Sequence, residues 1–184
     1  VFANNMWWLP ILINKGDLDY YLVRPVSTLY FLSLRDFAAN SFVNLLISIG
    51  ILTWALVRYP HPISPGSFGI YAGLLLVGLA LQYLVYLVFL IPVFWLHTGG
   101  GLRETYFALS SASNRPHRIF TGWARGILVS VLPFAFVASF PVVALFEPVG
   151  WPLFLHAAAV LAGAILVVRF MWRAGLRAYS SASS

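Results

Sequence analysis

The stretch Phe68–Leu96, FGIYAGLLLVGLALQYLVYLVFLIPVFWL, decides the fold class. It runs for about 29 residues without a charged side chain, and a membrane-spanning helix needs only about 20 mostly apolar residues. The surplus lets the segment tilt or extend beyond the hydrocarbon core. Three further stretches meet the same test: Phe37–Val57, Gly126–Phe146 and Leu153–Trp172. The sequence therefore predicts an all-α protein, a polytopic transmembrane helical bundle with four spans inside residues 37–172. Residues 1–36 form a cytoplasmic or interfacial segment ahead of it, and residues 173–184 a cytoplasmic tail.

Composition agrees. The 184 residues are 61% hydrophobic and 9% charged, whereas soluble domains carry about 25% charged residues. A soluble fold of this size could not hide so much apolar surface, but a bilayer accepts it. With no cysteine, the chain has no disulfide, thiolate or iron–sulfur chemistry. The first residue is Val and the run to Ile13 is broken by Asn4, Asn5 and Pro10, so it reads neither as a signal peptide nor as a span. The expectation is that the chain begins in the middle of a longer protein.

The connectors separate the spans cleanly. Tyr59–Gly66 is a Pro/Gly loop that no helix continues through, and Glu147–Pro152 is a tight turn that makes spans three and four a hairpin. Between spans two and three lies a longer polar stretch, His97–Arg125. The basic residues then sort by side. Lys15, Arg24 and Arg35 precede span one; Arg103, Arg115, Arg118 and Arg125 lie between spans two and three; Arg169, Arg173 and Arg177 close span four. Four alternating spans bring these groups to one side, ten of the eleven Lys and Arg, and leave Arg58 alone on the other. The positive-inside rule puts the N-terminal segment, the central loop and the C-terminus in the cytoplasm, with the protein in the plasma (inner) membrane. The net charge of +6 is thus a topology signal, and no nucleic-acid partner is expected. Trp7, Trp8, Trp95, Trp123, Trp151 and Trp172 lie near span boundaries, as an aromatic belt requires.

No catalytic constellation emerges, so the chain is not expected to be an enzyme. His156 lies in span four with no acidic residue on its helical face. His61, His97 and His117 lack metal-ligand spacing. Gly99-Gly100-Gly101 lacks the Lys-Ser/Thr that follows in a P-loop, so any nucleotide chemistry belongs to a partner. An ionisable group inside a span is still a functional candidate. His156, with Gln82, Tyr83 and Tyr86 of span two, could line a translocation path, lipid-facing or packed positions being equally compatible. Pro92, Pro133 and Pro141 can kink spans two and three.

The unusual segment is Asn14–Ser27, NKGDLDYYLVRPVS. Gly16 can end one helix, Asp17 can cap a short one through Tyr20–Val23, and Pro25 can break it and open the next. Leu18, Tyr21 and Leu22 share a face, and Asp17 and Asp19 sit where the helix dipole favours acids. Composition leaves a simple interfacial anchor and a docking helix equally open.

Gly16-Asp17-Leu18-Asp19 followed by Leu22-Val23-Arg24-Pro25 resembles the G-(E/D)-L-D-x-x-L-x-R-P signature of ABC-2 family transporter permeases, in a subgroup long carried as a domain of unknown function. Leu132–Phe136 with Phe140-Pro141, and the ending Trp172–Ser183, are similar to the same subgroup. The likeness covers most of the chain. It implies a permease subunit of an ATP-binding cassette exporter, the later part of a six-span protein whose first two spans would precede Val1. It also implies that the loop holding Gly16, Asp17, Leu18, Asp19, Tyr21, Leu22, Arg24 and Pro25 carries the coupling helix that docks on separate ATPase subunits. ATP and Mg would then bind the partner, with no cofactor in this chain. A second permease chain, identical or related, and membrane lipid would complete the assembly. A non-transporting membrane scaffold or assembly protein explains the spans and charges equally well but gives no reason for the signature.

Overall fold

The computed structural model describes residues 6–33, 39–60, 63–97, 100–110, 134–137 and 139–179. Arg35, His61, Gly99, Arg115, His117, Arg118, Trp123, Arg125, residues 126–133 of the expected third span and the tail from Ser180 lie outside the described residues, as do the side chains of Trp7 and Arg103. All regular structure among the described residues is helical. The chain divides into two units, Val1–Pro62 with Ser181–Ser184, and Ile63–Ser180.

The first unit holds a 3₁₀ turn, Met6–Trp8, and the helices α1 (Leu9–Lys15), α2 (Asp19–Leu22), α3 (Thr28–Ser33) and α4 (Ala39–Val57). At 19 residues α4 is about 28 Å long, close to the thickness of the hydrocarbon core. It carries no charge, and none of its described side chains is buried. Leu46, Ile51 and Trp54 point outward, which is stable against lipid or other spans rather than water. Its hydroxyls are satisfied internally: Ser48 donates to the Asn44 carbonyl and Thr53 to the Ile49 carbonyl, each at 2.8 Å. Past its end the Arg58 guanidinium lies 4.9 Å from the centre of the Trp54 ring, the amphipathic pairing expected at an interface.

The second unit is built on α5 (Pro65–Leu90). Ser64 caps it by accepting the Ser67 N–H at 3.0 Å, and Pro65 fits the first turn because its missing N–H would have no partner there. Pro92 ends it. Without an N–H the proline cannot continue the ladder, and the chain turns over Ile91–Pro92 into α6 (Val93–Leu96). Together Pro65–Leu96 is long and apolar enough to cross a membrane, and so is α9 (Trp151–Ala178). Between them come α7 (Gly100–Ser110), a 3₁₀ turn at Phe134–Phe136, and α8 (Ser139–Phe146).

Two sequence expectations are adjusted here. The third span, expected as one run over Gly126–Phe146, is interrupted at Val137 in its described part. Pro141 explains the break: its ring would clash with the carbonyl of Val137, so the helix starts at Ser139 with the proline in its first turn. The helix that holds the expected fourth span runs past Trp172 to Ala178, and it ends where Tyr179 turns extended.

Leu74, Gly78, Leu81 and Val85 form the buried stripe of α5, while Leu76 and Leu79 face outward. The core joins Leu74 and Leu81 to Phe136, Ala144 of α8 and Ala157 of α9. Inside a bilayer the surrounding tails are as apolar as leucine, so close packing rather than expulsion of water holds spans together. Glycine supplies that closeness at two points. A β-carbon on Gly78 would lie 2.7 Å from the Phe136 carbonyl carbon, and one on Gly175 would lie 2.5 Å from the Phe94 ring. The Phe94 ring is further held by Trp172 at 5.5 Å and Tyr179 at 6.2 Å, ties that fasten the kinked end of α6 to the C-terminal end of α9.

Candidate functional site

The signature segment folds as a compact helical hairpin. Leu9, Leu12 and Ile13 are the buried side of α1. The helix stops at Gly16, which takes φ 76°, a left-handed conformation that suits glycine. The Gly16 N–H donates to the Ile13 carbonyl at 3.2 Å, and the Leu18 N–H reaches back to the Leu12 carbonyl at 3.3 Å. That reversal drives Leu18 fully inward, at 0% exposure.

The next turn begins at once. Tyr20 N–H donates to the Asp17 carbonyl at 3.3 Å, and Tyr21 and Leu22 N–H groups both donate to the Leu18 carbonyl, at 2.9 and 3.1 Å. The N-cap of α2 is therefore Leu18, without a side-chain cap, and not Asp17 as the sequence suggests. Asp19 occupies the first turn, where a carboxylate meets the positive end of the peptide dipoles. Val23 closes the helix, donating to the Asp19 carbonyl at 3.4 Å, and Arg24-Pro25-Val26 bends the chain into α3.

Arg24 holds the bend. Its guanidinium lies 4.5 Å from the centre of the Phe31 ring on α3 and 5.9 Å from that of Tyr21 on α2. The two rings are themselves 5.9 Å apart. One cation over two aromatic faces fixes the angle between the short helices, a contact of about 0.5–1 kcal/mol at an exposed site. Around this clamp the outer surface is apolar. Tyr20 is 73% exposed and Val23 83%, with Leu22, Val26 and Tyr30 also outward. The outward face is thus not the expected Leu18–Tyr21–Leu22 stripe: Leu18 is buried, Tyr21 half-buried, and Leu22 alone of the three is exposed. Tyr20, Val23, Val26, Tyr30 and Phe31 were not singled out from the sequence. Phe31 lies across the Arg24–Ser27 bend from Arg24, and no spacing within either short helix marks the pair.

The candidate path residues fall in two places. Tyr86 is buried beneath Tyr106 of α7, their rings 4.9 Å apart and edge-on, with Phe89 at 6.0 Å from the same ring. Gln82 hydrogen-bonds the Tyr106 hydroxyl. Burial raises the Tyr106 phenol above its ordinary value of 10.0, and the Gln82 bond works the other way. Gln82 and Tyr86 therefore anchor α7 to α5, and Tyr83 beside them is half-buried. His156 lies elsewhere, on α9, stacked on Phe136 with ring centres 5.6 Å apart and its Nε2 buried without a hydrogen-bond partner among the described residues. Between the first halves of α5 and α9 runs an apolar groove of about 540 Å³, lined by Gly66, Gly69 and Gly73 on one wall and Phe154, Ala157 and Ala158 on the other.

Comparison with known proteins identifies the family. A family model described as ABC-2 family transporter protein matches residues 1–183. No curated protein and no solved structure matches the chain. The chain belongs to the ABC-2 transporter family, and it is a membrane protein with the role of an ABC transporter permease.

Proposed function

We propose that this ABC-2 family member is the permease subunit of an exporter and that its helical hairpin over Leu9–Ser33 receives the force of ATP hydrolysis. The observation that carries this reading is the hairpin itself. It is a short, internally braced element whose outer surface shows Tyr20, Leu22, Val23 and Val26 to the surroundings. An apolar patch of that kind on a rigid support is a docking surface, with Tyr20 as the aromatic anchor. Asp17 and Asp19 lie half-buried beside it, and they add negative charge that suits basic groups of an ATPase.

The positive charges support a cytoplasmic position for the hairpin, for the central loop and for the C-terminus, in the inner membrane. Two ATPase subunits bind from that side and carry ATP and Mg. A second permease chain, identical or related, faces this one across the path. Nucleotide favours one permease state by making better contacts in it, and the hairpin transmits the difference to α4 through the chain that joins them. The apolar groove between α5 and α9 favours amphipathic or lipid-like cargo over an ion.

The test is co-purification of the ATPase with the permease after Tyr20→Ser and Val23→Ser are introduced together, followed by ATP-driven transport. Both positions are exposed, so the fold is spared. The expected result is at least a tenfold loss of ATPase association and of transport. Full association together with full transport removes the hairpin from the mechanism.

A further inference from the structure

α9 carries one exposed face that reads as a lipid does, first tail and then headgroup. Leu155 and Leu166 are exposed at 58% and 65%. Their helical line continues directly into Arg169, Arg173 and Arg177, spaced four residues apart, each of them exposed. Phe170 lies beside the first arginine at 75% exposure. The opposite face, with Ala157, Val168 and Gly175, is the buried one. α9 contains no acidic residue to neutralise the arginines internally.

Length fixes the depth of this stripe. At 28 residues α9 is about 42 Å long, whereas the hydrocarbon core is about 30 Å thick and the bilayer with its headgroups about 40–45 Å. A helix that starts at Trp151 at one interface places Arg169 near the far edge of the core and Arg173 and Arg177 among the headgroups. Guanidinium matches phosphate geometry with paired N–H donors, and the cytoplasmic leaflet is the one whose anionic lipids attract juxtamembrane cations.

We propose that the Arg169–Arg173–Arg177 face of α9 is a binding site for an anionic phospholipid of the cytoplasmic leaflet, its phosphate held by the arginines and its acyl chain laid along Leu166 and Leu155. Charge complementarity and the continuity of the basic stripe with a lipid-facing apolar one select a phospholipid over an acidic protein surface. The site fastens the end of α9 at a fixed depth, the same end that Phe94 grips through Gly175. The choice of leaflet rests on the permease orientation proposed above.

Native mass spectrometry of the full chain, released from nanodiscs that mix phosphatidylglycerol and phosphatidylcholine, reads the site directly. The wild type should retain phosphatidylglycerol in preference to phosphatidylcholine. Arg173→Gln with Arg177→Gln should lower that retention at least threefold, and Arg58→Gln, on the other side, should leave it unchanged. Because glutamine is tolerated in an exposed helix, a milder Arg173→Lys variant serves as the folding control and should retain an intermediate amount. Equal retention of the two lipids by the wild type overturns the proposal, and so does equal loss in the Arg58 variant. Unchanged lipid retention with lost ATPase association in the double variant assigns the stripe to the ATPase and overturns it too. Failure of lipid selectivity while the ATPase still co-purifies leaves the permease reading standing. Selective retention of phosphatidylglycerol that is lost in the double variant supports the lipid site even where the wild type fails to bind an ATPase, an outcome that counts against the docking role of the hairpin alone.

Discussion

Gly16 is the residue on which the hairpin turns. Its φ of 76° lies where a β-carbon meets the following carbonyl, a cost of roughly 1–2 kcal/mol for an L-residue. Gly16→Ala should therefore speed amide hydrogen exchange across Leu18–Val23 about 5- to 30-fold, and protection equal to the wild type would show that the turn relaxes without strain. Arg24 is the brace. Replacing Arg24 or Phe31 by alanine should each weaken the hairpin by about 0.5–1 kcal/mol, and the double variant should cost less than the sum, since the pair acts through one contact. Full additivity in a double-mutant cycle would contradict the clamp. The i, i+3, i+4 spacing of Leu18, Tyr21 and Leu22 was legible as one apolar face, but spacing does not say whether such a face packs inward or docks outward. Backbone reversal at Gly16 decides it, by turning Leu18 into the protein. The partnership of Arg24 with Phe31 was hidden because it runs between two short helices whose angle no local pattern encodes.

At the scale of elements, the existence of long apolar helices was more legible than their ends or their contacts. The bilayer demands about 20 apolar residues whatever the neighbours are, so Phe68–Leu96 could be read directly, although the helix begins earlier, at Pro65 behind the Ser64 cap, and is broken inside that stretch at Pro92. Pro141 was visible as a kink site, but its effect on the third span depends on where the helix begins. The packing partners of Gly78 and Gly175 could not be read, because each lies on an element distant in sequence. Gly78→Ala forces its methyl into the backbone at Phe136, which has no flexible end to move aside. Gly175→Ala meets the Phe94 ring, which can shift only against Trp172 and Tyr179. Overpacking of this kind costs about 1–3 kcal/mol. Both variants should lower the detergent melting temperature, Gly78→Ala by more, whereas Gly73→Ala should not, since a β-carbon there meets nothing within 4 Å. A Gly73→Ala loss as large as that of Gly78→Ala would contradict the packing described. Gln82 and Tyr86, read as path candidates from their polarity inside a span, also pack against Tyr106 of α7. Polarity announced that they had partners and could not say which.

For the whole molecule, charge distribution carries more than any motif. The proposed sidedness rests on ten basic residues against one, and it is testable because the chain has no cysteine of its own. A single cysteine at Tyr59 should react with a membrane-impermeant maleimide in intact cells, whereas one at Arg177 should react only after the membrane is opened. The reverse pattern would invert the topology. The same cysteine-free background gives the most direct test of the central claim, that the hairpin is where an ATPase engages the permease. A cysteine at Val23, which is 83% exposed at the end of α2, is crosslinked with a short bifunctional reagent in membranes containing the partner ATPase. The account predicts a permease–ATPase adduct from Val23→Cys, changed in yield by nucleotide, and none from Tyr59→Cys. No adduct from Val23→Cys, or equal adducts from the two positions, would contradict it.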